Sequence, residues 1–550
     1  MRPAATRRRP APTLGGVRWL EPVQRRRRRR PPVVPVVLLL AVVAAAAGAG
    51  WVLLARESAR DRQQEAVTRF ATAWSRGDYA AMWRLLTPER RRDWPLAEFT
   101  ASYRIADEQA TVKGVRAGPV AKIAGGRALL PVNVRTRLFG ALRGTVAIPV
   151  AERDGTAELD WSPALRLPGL RDGERVRRRV LERPARRPIL AADGSRLDAD
   201  PATAGLAGTP PADGQAGTGL EALYDAQVGG RPGAELRFGR RVVRRVPVRR
   251  GHTLRTTIVP RLQRAATEAL GSRVGGIAVL RPRTGDVLGL AGLAVSGPQP
   301  PGSTFKIITL AGALQAGIAR PTSSYPVRTY ALLSGVRLRN ASDEACGGSL
   351  PTAFAESCNS VFAPLGARLG ARRLVRLAEA FGFGEQLKIP GFRPSSIARD
   401  LKDDLAVGAA AIGQDRDLAT ALQMASVGAT IGNRGVRARP RISRGQRIVR
   451  RRVISARVAR QVRSMMLGVV RGGTGTAAAL PGVEVAGKTG TAELRPTAGG
   501  PPDPRNTDAW FVAFAPASRP RVAVAVMLVG AGAGGAAAAP LARQVLAAAL

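Results

Sequence analysis

The sequence predicts a multidomain α+β chain in four parts. These are a single N-terminal transmembrane helix, a compact α+β module, an irregular arginine-rich region, and a last domain built on a five-stranded antiparallel sheet flanked by helices. Three observations predict it. An uncharged stretch follows an unbroken basic run near the N-terminus. Helical and then strand-like periodicity fill residues 57–165. Two sets of strands, one opening the last domain and one closing it, enclose mostly helical sequence.

The basic run is Arg25 to Arg30, and Pro31 to Ala55 then carry no charge before Arg56. As a helix that stretch would extend roughly 37 Å, enough to cross the hydrocarbon core of a bilayer. The arginine block makes 1–30 a cytoplasmic tail by the positive-inside rule and 31–55 the anchor, with everything after about residue 56 outside. A cleaved signal peptide is the alternative, since AAAAGAG (44–50) offers small residues to a peptidase. Cleavable apolar regions usually run only about 7–15 residues, however. Both readings export the bulk of the chain, and the expected localisation is the cell membrane, single-pass, with the N-terminus cytoplasmic and the bulk of the chain extracytoplasmic.

Net charge is +46, nearly all of it arginine, and the only lysines are Lys113, Lys122, Lys306, Lys388, Lys402 and Lys488. Such a balance first suggests nucleic acid or an anionic surface. Arginine is spread along the whole chain, aromatics make up only 4%, and no basic stretch interleaves them as single-strand binders do. No nucleic-acid partner is expected, and GC-rich coding produces the same Arg/Ala/Gly bias. The two cysteines, Cys346 and Cys358, show no CxxC metal pattern. No metal or cofactor is expected, and in an oxidising compartment the pair could form a disulfide.

Residues 57–165 open with EAVTRFATAWSRGDYAAMWRLL (65–86), where Val67, Phe70, Ala71 and Trp74 line one helical face. Gly77-Asp78 marks a turn, and Tyr79, Met82, Leu85 and Leu86 continue as a second short helix ended by Pro88. Strands are expected at 128–136, 144–150 and 158–161. Nothing here pairs titratable groups in a catalytic pattern, so the module reads as a spacer or scaffold. Residues 166–255 hold RRPILAADGSRL (186–197), read as strand, Asp193-Gly194 turn and strand. GLEALYDAQVGGRPG (219–233) is then a short helix closed by glycines. The lone histidine, His252, sits at a turn with no partner motif and reads as a surface residue. In the last domain, 256–550, GGIAVLRPRTGDVLGLA (275–291) is a hairpin. VEVAGKTGTAE, DAWFVAFAP and RVAVAVMLVG supply three closing strands before a final helix at about 540–550.

Three short motifs in this domain carry chemistry. In Ser303-x-x-Lys306 the two side chains share one helix face, so the amine can reach the hydroxyl. Serine is a poor nucleophile until a base takes its proton, and lysine can serve if burial and neighbouring positive charge depress its pKa. In Ser357-Cys358-Asn359 a hydroxyl and a carboxamide two apart can both face a cleft from a loop between helices, offering a proton relay and a hold on a substrate backbone. In Lys488-Thr489-Gly490, followed by Thr491, a cation and hydroxyls would meet a substrate carboxylate while glycine permits close backbone approach. Each motif alone is weak, because serine at a helix start is often only a cap. No second Ser-x-x-Lys, Ser-x-Asn or Lys-Thr-Gly occurs in the chain, and the ordered set arises by chance in well under about one chain in a hundred.

SxxK, SxN and KTG in this order resemble the penicillin-binding transpeptidases and serine β-lactamases. The words around them, PPGSTFKIITLAGAL, AFAESCNSVF, AIGQDRDLATALQMASVGATIGNRGV and AGKTGTAE, look like a class B, monofunctional penicillin-binding protein. Residues 57–165 are similar to the NTF2-like N-terminal domain of the methicillin-resistance type, and 166–255 resemble the dimerisation or pedestal region. The resemblance implies a two-step acyl transfer. Ser303 attacks the penultimate D-Ala carbonyl of a stem peptide while Lys306 takes its proton. Ser357, assisted by Lys488, returns a proton to the departing D-alanine, and Asn359 binds the substrate. The backbone N–H groups of Ser303 and Thr491 form the oxyanion hole, and Thr489, Gly490 and Thr491 line the carboxylate site. It also implies acylation by β-lactams and a separate glycan polymerase as partner. A D,D-carboxypeptidase or β-lactamase, or a membrane β-lactam sensor, are the alternatives within the superfamily. No deacylating glutamate motif stands out, and a tail of about thirty residues is too short for a cytoplasmic effector domain. The departure from pattern is Cys358, inside SxN, expected to point away from the cleft or to be tied to Cys346.

Overall fold

The computed structural model describes residue 56 and residues 58–212, 214–494 and 503–550. The expected tail 1–30 and anchor 31–55 lie outside the described residues, and no helix among those described is long and apolar enough to cross a membrane. The chain divides into two compact units. Residues up to Arg178 together with Leu236–Arg244 form one, and Arg179–Glu235 with Arg245–Leu550 form the other, so 166–255 is shared between them.

In the first unit a helix through 58–76 buries Val67, Phe70 and Trp74, the stripe its periodicity predicts. Helices Tyr79–Arg84, Pro88–Asp93 and Leu96–Ala110 follow, then antiparallel strands Val112–Ala117, Lys122–Ala124, Arg127–Thr136, Ala141–Arg153 and Thr156–Leu159. Four of these elements go beyond the sequence reading: the short helix Pro88–Asp93, the strands Val112–Ala117 and Lys122–Ala124, and the long helix Leu96–Ala110. The long helix buries Phe99, Ser102, Tyr103, Ala106 and Ala110 at helical spacing, but a serine within the stripe and polar neighbours weaken the pattern. Around Trp161 the core is aromatic: its indole N–H donates to Tyr103 Oη at 3.0 Å, and Phe99 and Trp94 pack edge-on against its ring. At 186–197 the first expected strand is Ile189–Leu190. The second shrinks to a single bridge, Leu190 to Arg196, because Asp193 closes the turn onto the Ser195 N–H at 3.0 Å and a 3-10 turn begins at Leu197. His252 is exposed, as expected.

The second unit holds strands β1 (Gly275–Leu280), β2 (Val287–Gly292), β3 (Ala486–Glu493), β4 (Thr507–Ala515) and β5 (Val522–Leu528) in one antiparallel sheet ordered β2-β1-β5-β4-β3. The opening hairpin therefore pairs with the last strand of the closing set, Ile277 opposite Val526. The helices that bear on the site and its cores are α1 (Pro260–Leu270), α2 (Lys306–Gln315), α3 (Leu350–Ala355), α4 (Asn359–Leu369), α5 (Ala371–Phe381), α6 (Ala421–Gly432), α7 (Ala456–Gly472) and α8 (Ala539–Ala549), with Asp404–Ala411 between α5 and α6 and the short Gly534–Ala537 before α8. Both faces of the sheet are covered, which is why its strands read as nearly unbroken apolar runs rather than alternating ones. Ile277, Val279, Phe511 and Val526 point to one core, shared with Leu262 of α1 and Val545 of α8. Ala278, Leu280, Val512 and Met527 point to the other, shared with α2, α4, α5 and α6. The second core holds the N-terminus of α2, and β3 forms the sheet edge beside it.

Candidate active site

Ser303 does not sit on the α-helix that the spacing predicts. It lies on a 3-10 turn, Gly302–Phe305, and α2 begins at Lys306. The correction strengthens the pairing, because side chains three apart on a 3-10 turn eclipse one another. Lys306 Nζ lies 2.9 Å from Ser303 Oγ. The turn is pressed against β3, and glycine is required on both sides of that contact. Gly302 has φ +51°, and a Cβ there would stand 2.7 Å from the Thr491 carbonyl oxygen. A Cβ on Gly490 would stand 2.9 Å from the Pro301 carbonyl oxygen. Phe305 anchors the turn from below, packed edge-to-face on Phe383 with centroids 5.6 Å apart.

Glu356, Ser357 and Cys358 link α3 to α4, the inter-helix loop the sequence suggested. Ser357 adopts φ +68°, left-handed and unusual for a residue with a side chain; such backbone costs of order 1–3 kcal/mol. That conformation turns both its carbonyl and its hydroxyl inward. The carbonyl accepts from Lys306 Nζ at 2.6 Å, and the hydroxyl accepts from Lys488 Nζ at 2.8 Å with Lys306 Nζ at 3.4 Å. Cys358 is fully buried and joined to Cys346 by a disulfide with Cα atoms 5.5 Å apart, away from the hydroxyl cluster.

Asn359 is oriented unambiguously: its Nδ2 donates to the Arg339 carbonyl at 2.7 Å, so Oδ1 faces Lys306 Nζ, 2.6 Å away. Lys306 thus meets two oxygens that can only accept, the Ser357 carbonyl and the Asn359 carboxamide. These hold two of its N–H bonds and leave the third direction aimed at Ser303. A neutral amine so arranged presents its lone pair to the hydroxyl.

Burial decides the charge. Both lysines are fully buried. Desolvation, with the positive charge of Lys488 as the lesser cause, holds Lys306 well below the ordinary lysine range. Desolvation alone brings Lys488 down to about 7. Among the described residues no carboxylate pairs with either amine. Aromatic rings lie nearest instead, Phe362 at 5.8 Å from Lys306 Nζ and Phe354 at 5.5 Å from Lys488 Nζ. Ser303, half-exposed, Lys306, Ser357 and Lys488 therefore form a continuous chain of proton-exchanging groups anchored by Asn359.

On β3, Lys488 Nζ also donates to the Thr489 carbonyl at 3.0 Å. The Thr489 hydroxyl is 2.6 Å from that of Thr474, and Thr491 Oγ1 is the hydrogen-bond acceptor for the Gly534 N–H at 3.5 Å. Two supporting residues escape the sequence reading. Thr474 follows α7 with no motif around it. Asn340 receives the Ser360 N–H on Oδ1 at 2.8 Å and donates to the Arg328 and Glu344 carbonyls, tying the start of α4 to the segments around it. The scarcity of asparagine in this chain is the one signal that could have singled it out.

Residues 275–547 match the model of the penicillin binding protein transpeptidase domain. The chain is 37% identical over 406 residues to a protein named peptidoglycan D,D-transpeptidase PbpA from Mycolicibacterium smegmatis, covering 61% of this chain and 80% of that one. Among solved structures it resembles penicillin-binding protein A of Mycobacterium tuberculosis, at 30% identity and TM-score 0.56, over 66% of this chain and 99% of that one. The ceftriaxone acyl-enzyme complex of the same mycobacterial protein matches at 30% identity and TM-score 0.56, covering 66% and 98%.

Proposed function

The chain belongs to the class B penicillin-binding proteins, and from that premise we propose that it is a peptidoglycan D,D-transpeptidase, cross-linking stem peptides through an acyl-enzyme on Ser303 and open to acylation by penicillin and other β-lactams at the same oxygen. The observation that carries the assignment of roles is the placement of a buried, carboxylate-free Lys306 amine 2.9 Å from Ser303 Oγ. In the first half-reaction the Lys306 lone pair takes the Ser303 proton as Oγ attacks the penultimate D-Ala carbonyl. The backbone N–H groups of Ser303 and Thr491 receive the developing oxyanion, typically the largest catalytic contribution. Collapse expels D-alanine, whose nitrogen takes the proton of Ser357 Oγ, and Lys488 at 2.8 Å resupplies that hydroxyl. In the second half-reaction an amine of a neighbouring stem peptide attacks the ester and releases its proton into the same chain.

Asn359 holds Lys306 as well as the substrate backbone, with its Oδ1 spent on the amine. Thr489, Gly490 and Thr491 receive the terminal carboxylate, with Thr474 orienting the Thr489 hydroxyl. Hydrolysis of the acyl-enzyme would call for a base to activate water, and among the described residues no carboxylate is hydrogen-bonded to Ser303, Lys306, Ser357 or Lys488. This favours transfer to an amine over the carboxypeptidase and β-lactamase readings.

The reading extends to an anchor at 31–55, supported by its uncharged length behind Arg25–Arg30, and hence to an extracytoplasmic active site. It extends also to an NTF2-like module at 57–165, supported by helices packed with one antiparallel sheet, and to a separate polymerase for the glycan strand. The test is labelling of the full chain with fluorescent penicillin, where Ser303→Ala is expected to abolish the covalent band. Incubation of wild type with a stem-peptide analogue and a D-amino acid should yield exchange product in excess of hydrolysis. A labelled Ser303→Ala protein would refute the nucleophile, and hydrolysis alone would refute the transpeptidase.

A further inference from the structure

A cavity of ≈ 370 Å³ opens on the catalytic half, and none of its lining residues belongs to the three motifs. Four arginines, Arg399, Arg437, Arg439 and Arg451, face two glutamates across it, a surplus of two positive charges. The pairing is uneven. Arg399 is satisfied by Glu379 at 2.6 Å. Glu385 is shared between Arg437 at 2.5 Å and Arg439 at 2.8 Å. Arg451 is exposed and has no partner among the described residues.

Two further facts single this cluster out from a merely arginine-rich surface. The hairpin of Val436–Ala438 and Arg450–Arg452 sets Arg437 directly opposite Arg451. Like charges in that register repel, and among the described residues no ion pair offsets the two beyond the half-share of Glu385. Arg437 is itself only 9% exposed, laid over Gly382, where a Cβ would stand 2.2 Å from its guanidinium. Its buried Nε has no hydrogen-bond partner, although buried guanidinium N–H groups are normally satisfied. The fold thus buries one cation, sets a second against it, and leaves both short of acceptors.

We propose that this cavity binds an organic phosphate. A phosphomonoester carries about −1.5 to −2 charges at neutral pH, which matches the surplus. Guanidiniums meet phosphate oxygens bidentately, and the exposed, unpartnered Arg451 offers such a fork beside the charge of Arg437. The cavity exceeds a bare phosphate, and Phe383 and Val449 add an apolar wall suited to the organic part of the ligand. A soluble sugar phosphate and a lipid phosphate share this chemistry.

Isothermal titration of the full chain in detergent at fixed ionic strength, with pyrophosphate as the probe, tests the site. Saturable one-to-one binding is expected, weakened at least about ten-fold by Arg451→Ala and lost in Arg451→Glu. Arg261→Ala, an exposed arginine of α1 outside the cavity, should bind as wild type does. Fluorescent penicillin labelling of each variant reports that it is folded. Displacement of the probe by glucose 1-phosphate assigns a sugar phosphate, and displacement by dioctanoyl phosphatidic acid assigns a lipid one. Failure of wild type to bind would overturn the proposal. So would equal weakening by Arg451→Ala and Arg261→Ala, which marks diffuse attraction to a basic chain. Binding of pyrophosphate with displacement by neither organic phosphate would mean an adventitious ion only.

Discussion

Of the places where the catalytic half buries cations, two treat them oppositely. At the seam between the β1–β2 turn and residues 441–446, Arg441 Nε donates to Asp286 at 2.7 Å. Arg281 reaches the other carboxylate oxygen at 3.1 Å, and Asp286 is 5% exposed. In the cleft, Lys306 and Lys488 are at least as deeply buried, yet only neutral oxygens and aromatic rings surround them. The difference teaches what each place is for. A guanidinium keeps its charge in proteins, so burying it calls for a counter-charge. An ammonium can shed its proton instead, and a buried amine with no anion nearby becomes a base. The seam is built to hold, the cleft to exchange.

Exchanging the cation in the cleft should have the largest effect. Lys306→Arg installs a permanent charge where a lone pair is needed, and acylation by fluorescent penicillin should slow by about 10³-fold or more. Wild-type rates in that variant would show that the amine need not be neutral. At the seam the effect should fall on stability alone. Asp286→Asn strands Arg441, and denaturant unfolding should show a loss of about 3 kcal/mol, with the acylation rate of the folded fraction unchanged. A variant that instead lost rate without losing stability would erase the distinction between the two places.

The pH response sharpens the contrast. Lys488 releases its proton near 7 in the folded chain, whereas an unfolded lysine holds it to about 10.4. Between those values the unfolded state binds more protons, so this site's contribution to stability rises with pH and is most unfavourable below 7. Lys488→Met should therefore raise the melting temperature relative to wild type at pH 6, and the gain should shrink towards pH 9. A gain independent of pH would mean that packing rather than ionisation is responsible. Acylation should also be lost towards acid as Lys306 regains its proton, its folded pKa lying below the lysine range. The smallest effect is expected at the carboxylate site. Thr474→Val removes the partner of the Thr489 hydroxyl, and kcat/KM should fall about five-fold, the worth of about one hydrogen bond, through KM more than kcat. An unchanged KM would mean that Thr489 orients itself.

Much of this was legible in the chain itself. The five strands of the catalytic sheet follow from short apolar runs bounded by glycine, and their division into an opening hairpin and three closing strands anticipates one antiparallel sheet, whereas the order β2-β1-β5-β4-β3, with β1 beside β5, came only from the fold. Ser303, Lys306, Ser357, Asn359 and Lys488 could be named because they stand in short local motifs, and lysine is rare enough here for position to carry meaning. In the first unit, Leu96–Ala110 was missed where a buried serine blurred the helical stripe.

By itself, then, the sequence determined which chemistry the chain can carry: two serine hydroxyls, two amines, a carboxamide and a threonine-flanked glycine, each held by its near neighbours. Tertiary structure alone decided how these act. The 3-10 turn that eclipses Ser303 with Lys306 depends on the approach of Gly302 to Thr491, 189 positions along the chain by its numbering. The left-handed backbone of Ser357, the inward turn of Asn359 against Arg339, the hydroxyl of Thr474 and the opposed arginines Arg437 and Arg451 likewise depend on neighbours distant in sequence. Periodicity and motif spacing report the nearest few residues, whereas a depressed lysine pKa is set by what surrounds the amine in space. Only the folded packing removes water from Lys306 and leaves it with no carboxylate partner among the described residues, and that removal is what fits the amine for the proposed role of base.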